Sequence, residues 1–262
     1  MNRTLVGALA AASIVTASLI AAAPAFASPP AKSQHAYVVL GDSLAVGVGA
    51  SDPSLGYVPQ VADFLAPNAP GHRVTLQSFA VSGDESGDLV AGQLPGALAL
   101  INQRTGNHKF ADDVAAITVD IGGNDVAGLI PVCSGGLTPA CQAQIGTTLG
   151  TFAFNLNVTL AQLRAAAGPD TPIVVMTLYN SLANPGCPVN YLAGAADLVL
   201  EGGGPIPAGI NDIIRVTAAA YDVRVAETYA IIGPTDVRPD CLHANDVGHA
   251  KVAQAFEAVL AD

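Results

Sequence analysis

The chain of 262 residues has no Trp and few other aromatics, 6 Tyr and 7 Phe. Flat aromatic platforms on which sugar rings or bases stack are therefore scarce. Positive charge is scarce as well, with 10 Lys and Arg against 21 Asp and Glu and a formal net charge of −11. A surface that acidic repels phosphate backbones, so nucleic acid is not expected as a partner. Charged residues of both signs make up only 12%, against 51% hydrophobic. That composition fills a core and argues against disorder. None of the four cysteines forms the tight C-x-x-C pair that zinc prefers. No metal and no cofactor are expected.

What is present begins with an export signal. Met1-Asn2-Arg3 supplies one positive charge, and Leu5 to Ala23 is apolar or small throughout. Pro24-Ala25-Phe26-Ala27 then sets small residues in the A-x-A arrangement that signal peptidase reads. Residues 1–27 are expected to be a signal peptide and the mature protein to be secreted. A retained membrane anchor is the rival reading, weakened because the run is rich in Ala rather than Leu. No later run has membrane-spanning length, so no stable membrane insertion is expected after cleavage. Residues 28–36 read as a flexible leader and 37–262 as one domain, without repeat or linker. A monomer is expected.

Four cysteines in an exported chain read as two disulfides. Three pairings are open, and a metal site is their rival. Cys133 and Cys141 bracket a short loop containing Gly and Pro, which favours pairing them with each other. Cys187 and Cys241 then bridge distant segments.

Short, nearly continuous apolar runs lie at Tyr37 to Leu40, Arg73 to Phe79, Val114 to Val119, Pro172 to Leu178 and Val223 to Ala226. They suit strands buried on both faces of a parallel sheet. Helical spacing fills Val58 to Leu65, Leu94 to Asn102, Thr147 to Ala166, Ile210 to Ala220 and Asp246 to Leu260. The alternation implies a three-layer α/β/α sandwich. Leu129 to Cys141 and the Gly-rich Glu201 to Pro207 read as irregular insertions.

Ligands of open parallel sheets sit beyond the carboxyl ends of the strands, and polar residues gather at those ends here. The first strand ends in Gly41-Asp42-Ser43, the second in Ser82-Gly83-Asp84, the third in Gly122-Gly123-Asn124-Asp125; Asp240-Cys241-Leu242-His243 precedes the last helix. A serine hydroxyl needs an adjacent base to attack at neutral pH. Ser43 is the expected nucleophile and His243 the base, with Asn245 capping the helix that follows. Asp240, three residues earlier, is placed to orient the imidazole. An oxyanion hole is expected from the backbone N–H groups of Ser43 and Gly83 and the side-chain amide of Asn124. Asp42 and Asp125 read as structural carboxylates. His35, His72 and His108 read as surface residues, and His249 as pointing away from the site.

These four segments resemble, in order, the four signature blocks of the SGNH, or GDSL, hydrolase family. Gly41-Asp42-Ser43-Leu44 with Gly47 matches the first block and Gly83 the second. Gly122-Gly123-Asn124-Asp125 matches the third and Asp240-Cys241-Leu242-His243 the last. The chain is similar in particular to secreted actinobacterial lipases and esterases of that family. The resemblance implies a flavodoxin-like fold, a Ser-His-Asp triad and no metal. Two positions differ from the usual blocks, Ser78 where an Asn is common and Ala244 where Pro usually follows the His.

The expected function is carboxylic ester hydrolysis through a Ser43 acyl-enzyme, the substrate being a small-molecule or lipid ester. Leu129, Ile130 and Val132 follow Asn124 closely and are candidates for an acyl pocket, which points to lipid-like or medium-chain esters. Deacetylation of polysaccharide, acyl transfer with the same residues, and an inactive binding protein of the same fold are the alternatives.

Overall fold

Five strands, all parallel, run in the order β2-β1-β3-β4-β5. They are β1 (Gln34–Gly41), β2 (Arg73–Ser78), β3 (Val114–Asp120), β4 (Ile173–Met176) and β5 (Arg224–Ala226). This is the flavodoxin-like order, whose switch point falls between β1 and β3. The computed structural model describes residues 34–66, 73–106 and 113–261. The expected signal peptide, the expected leader up to residue 33, His72 and His108 lie outside the described residues.

Successive strand residues point to opposite faces, and both faces are apolar. On one face Val38 and Leu40 of β1, Ile117 and Val119 of β3, and Val175 of β4 pack under α4 (Leu94–Thr105), α7 (Pro139–Ala167) and α9 (Ile210–Ala220). On the other, Tyr37, Val39, Ala116, Val174 and Met176 pack under α2 (Tyr57–Leu65) and α10 (Asp246–Leu260). Tyr57 of α2 stacks on Phe256 of α10 with ring centroids 5.1 Å apart. The result is three layers with the sheet in the middle.

Several boundaries differ from the expected ones. β1 takes in Gln34, His35 and Ala36, assigned above to a flexible leader, because they pair with Arg73, Val74 and Thr75 of β2. His35 is accordingly a strand residue. The stretch Leu129 to Cys141, expected to be irregular, contains a short helix α6 (Ile130–Cys133) and the first turn of α7. The Thr138 hydroxyl accepts from the Cys141 amide and Pro139 fills the first helical position, a start signal that Gly146 and Gly150 obscured in the periodicity. A further helix, α8 (Ala193–Glu201), has no counterpart in the expected elements. The remaining α-helices among the described residues are α1 (Ser43–Val46), α3 (Ser86–Asp88), continued to α4 by a π-helical turn at Leu89–Gln93, and α5 (Gly123–Ala127). Disulfides join Cys133 to Cys141 and Cys187 to Cys241.

Candidate active site

The first strand delivers Ser43 to the sheet edge. β1 ends at Gly41, whose register partner is Asp120 at the end of β3. An added Cβ on Gly41 would collide with the Asp120 carboxylate, so only glycine fits there. Asp42 caps α1, its Oδ1 accepting from the Leu44 amide at 3.0 Å, and Gly47 at φ +91° ends that helix after one turn. Ser43 thus occupies a tight strand-to-helix turn and is largely buried.

His243 arrives from the other end of the chain. Its Nε2 lies 2.9 Å from Ser43 Oγ and its Nδ1 lies 3.0 Å from Asp240 Oδ2. An ionised carboxylate only accepts, so Nδ1 carries the proton and Nε2 is left as acceptor for the serine hydroxyl. Asp240 Oδ1 accepts from the backbone amides of Leu242 and His243. Burial pulls the Asp240 pKa upward, but the amide and imidazole of His243 outweigh it and hold the carboxyl below its ordinary range. The turn is closed by Cys241, in the left-handed region at φ +67° and bonded to Cys187. Asn245 caps α10 by accepting from the Val247 and Gly248 amides. Gly49 packs directly against this loop, where a Cβ would strike the Ala244 carbonyl oxygen.

Of the other expected donors, Asn124 lines the same cavity as Ser43, and Gly83 lies in the loop that Val81 ties to the Gly41 carbonyl. Gly83, at φ +92°, has open space where a Cβ would point. Asn124 donates one amide hydrogen to the Asp84 carbonyl at 2.9 Å, which fixes the side chain and leaves its second hydrogen. Gly122 precedes it at φ +114°, against the ring of Phe152. Asp125 is buried and accepts from the amide and hydroxyl of Ser86, and Asn155 donates to the same hydroxyl. The second and third blocks are therefore tied together twice.

An apolar cavity of about 120 Å³ opens beside these groups. Val126, Leu129, Ile130 and Cys133 line its wall together with Ala195, Ala196 and Val199 of α8. Ser43, Asn124 and His243 lie on the same cavity. Val132, expected in an acyl pocket, does not line it and is 46% exposed, because it sits on the outer side of the short helix α6.

Some residues of this region carried no motif. Gln93 grips Gly41 and Asp84 from the π-helical turn. Asp120 is fully buried beside Tyr57, and burial drives its carboxyl well above the ordinary range. Its place at the carboxyl end of an apolar run was the one signal available. Burial also raises Asp42 to about 6, against the Leu44 amide and His243, which lower it. His249 does not touch Ser43. It is buried, accepting from the Tyr57 amide at Nδ1 and donating from Nε2 to the Val48 carbonyl, and so pins the loop after α1 to α10. Among the described residues, no group of three or more His, Cys, Asp or Glu is placed to hold a metal, and no helix is long and apolar enough to cross a membrane.

Comparison with known proteins places this geometry. The model of the GDSL-like lipase/acylhydrolase family matches residues 39–251. Among solved structures, a lipase from a goat rumen metagenome is 20% identical over 85% of this chain and 96% of its own, with a TM-score of 0.63. An acetylxylan esterase from Geobacillus stearothermophilus is 17% identical over 87% and 94%, TM-score 0.57. An extracellular lipase from Streptomyces rimosus is 20% identical over 85% and 98%, TM-score 0.56. At these identities the likeness is one of fold. No curated protein sequence matches the chain. The family match spans all four polar segments that meet at the sheet edge, and the chain belongs to the GDSL-like lipase/acylhydrolase family, a carboxylic ester hydrolase.

Proposed function

We propose that the chain is an exported serine esterase that acts through an acyl-enzyme on Ser43 and prefers esters of lipid-like or medium-length acyl chains. The observation that carries the mechanism is the unbroken contact from Ser43 Oγ to His243 Nε2 and from His243 Nδ1 to Asp240. Ser43 Oγ attacks the ester carbonyl while His243 Nε2 takes its proton. Asp240 holds the proton-bearing Nδ1 side and stabilises the imidazolium. The carbonyl oxygen, now negative, receives hydrogen bonds from the Ser43 and Gly83 amides and the free hydrogen of Asn124 Nδ2. His243 returns the proton to the departing alcohol. It then activates water to release the acid and restore Ser43.

The apolar cavity favours the acyl preference. Its lining is mostly hydrocarbon, with Ser43, Asn124 and His243 among its few polar groups. Each methylene buried there gains about 0.8 kcal/mol, whereas an acetyl group would leave most of the space unfilled. That weighs against a dedicated deacetylase, as does the absence of Trp. Acyl transfer uses the same groups and differs in whether an alcohol competes with water. The export signal expected at residues 1–27 and the two disulfides support action outside the cell. Hydrolysis of p-nitrophenyl esters from acetate to laurate tests the reading. Activity is expected to peak at intermediate length and to vanish in Ser43→Ala. Equal rates in the two proteins would overturn it, and a maximum at acetate would overturn the acyl preference alone.

A further inference from the structure

The amide of Gln93 makes three hydrogen bonds at once. Its Oε1 accepts from the Gly41 amide at 2.9 Å, and its Nε2 donates to the Gly41 carbonyl at 2.8 Å and to Asp84 Oδ2 at 2.8 Å. Gly41 stands two residues before Ser43. Asp84 follows Gly83, and its own carbonyl accepts from Asn124. One buried side chain therefore touches both the turn that presents the nucleophile and the loop that presents the oxyanion donors.

The local helix explains how a polar group reached this place. Gln93 closes the π-helical turn Leu89–Gln93, flanked by Leu89 and Leu94, both buried. A π turn carries one extra residue and re-aims the side chains that follow, and such turns gather at functional sites. Here the extra residue turns an amide, rather than an aliphatic group, onto the end of β1. Gly41 lies where β1 has passed the end of β2 at Ser78, so on that side its amide has no strand partner and Gln93 supplies one. Gln93 does not line the apolar cavity.

We propose that Gln93 is a positioning residue that holds Ser43 in register with the Gly83 and Asn124 donors. The proposal rests on the Ser43 acyl-enzyme reading. A reaction of this kind is sensitive to small displacements, a shift of about 1 Å costing on the order of a hundredfold in rate. The effect of losing Gln93 falls on kcat, since the acyl-binding walls stand apart from it.

The test uses Q93L and Q93E beside wild type and Ser43→Ala, with p-nitrophenyl octanoate as substrate and thermal unfolding as a check on folding. Q93L is expected to lose about tenfold or more in kcat with KM within about twofold of wild type. In Q93E the new carboxylate still accepts from Gly41 but has no donor and faces Asp84. On protonation it donates again, so the ratio of Q93E to wild-type kcat is expected to climb about tenfold between roughly pH 8 and pH 5. A residue that only filled space would give a flat ratio. Wild-type kcat in Q93L, or a flat Q93E ratio, overturns the proposal, and if Q93L does not fold the Q93E profile decides. Hydrolysis that persists in Ser43→Ala would instead overturn the acyl-enzyme reading itself.

Discussion

The polar side of the site and its apolar wall are held by different means. On the polar side the side chains are fixed by short hydrogen bonds to nearby loops and turns, such as Asn124 to Asp84, Asp125 to Ser86, and Asp240 to the His243 amide. On the wall side, short helices are fixed by packing and by cross-links. Cys133–Cys141 ties α6 to α7, and Cys187–Cys241 ties the segment before α8 to the His243 loop. Hydrogen bonds impose direction, which oxyanion stabilisation requires. Apolar packing imposes shape and little direction, which suits a chain recognised by its length. The difference implies that damage to the polar side appears in kcat for every ester, and damage to the wall as a change in which esters are used.

The largest expected effect falls on the polar side. Asn124→Ala should lower kcat about a hundredfold or more at every acyl length, as removal of one oxyanion donor does elsewhere. A loss confined to long chains would break the division, since it would place Asn124 in acyl recognition. The wall comes next. Ala196→Phe should lower kcat/KM for octanoate about tenfold while leaving acetate within about twofold, because the ring takes space the chain would fill. Equal loss on both esters would show that α8 acts on the chemistry rather than on length.

The smallest expected effect concerns stability and sharpens the account of the polar side. Burial raises the Asp42 carboxyl to about 6, so the native state disfavours its ionised form. Stability from this group is therefore highest at low pH and declines as pH rises from about 4 to about 6. Asp42→Asn keeps an acceptor for Leu44 and removes the ionisation. The variant should unfold at higher denaturant than wild type at pH 8, by up to roughly 3 kcal/mol, and the two should converge below about pH 4. His249 has the opposite sign. Burial lowers its pKa, so its contribution is lost as pH falls below about 6.5. His249→Gln should flatten that acid limb.

The same division governs what could be read from the chain. The parallel sheet was legible because runs such as Val114 to Val119 are apolar on both faces, a pattern that only a doubly covered strand needs. The polar groups were legible because turn-forming residues at strand ends leave few geometries open: Gly83 and Gly122 both need positive φ. The wall was far less so. Helix α8 is built largely of Ala, Gly and Leu with weak periodicity, and α6 has four residues, too few to show any period. Val132 was assigned to the pocket by its hydrophobicity and proximity to Asn124, and the turn of α6 sends it to solvent instead. Gln93 was invisible for a related reason. A glutamine just before a helical stretch reads as a surface residue, and no pattern announces a π turn.

The central claim is that Ser43 forms the covalent bond, and trapping that bond tests it most directly. Intact-mass spectrometry after exposure to an alkyl fluorophosphonate, followed by peptide mapping, reads the site of attachment. The account predicts one adduct per chain on Ser43, lost activity in proportion to labelling, and no adduct in Ser43→Ala. Full inactivation with the adduct on another residue, or a fully active enzyme carrying the adduct on Ser43, would contradict it.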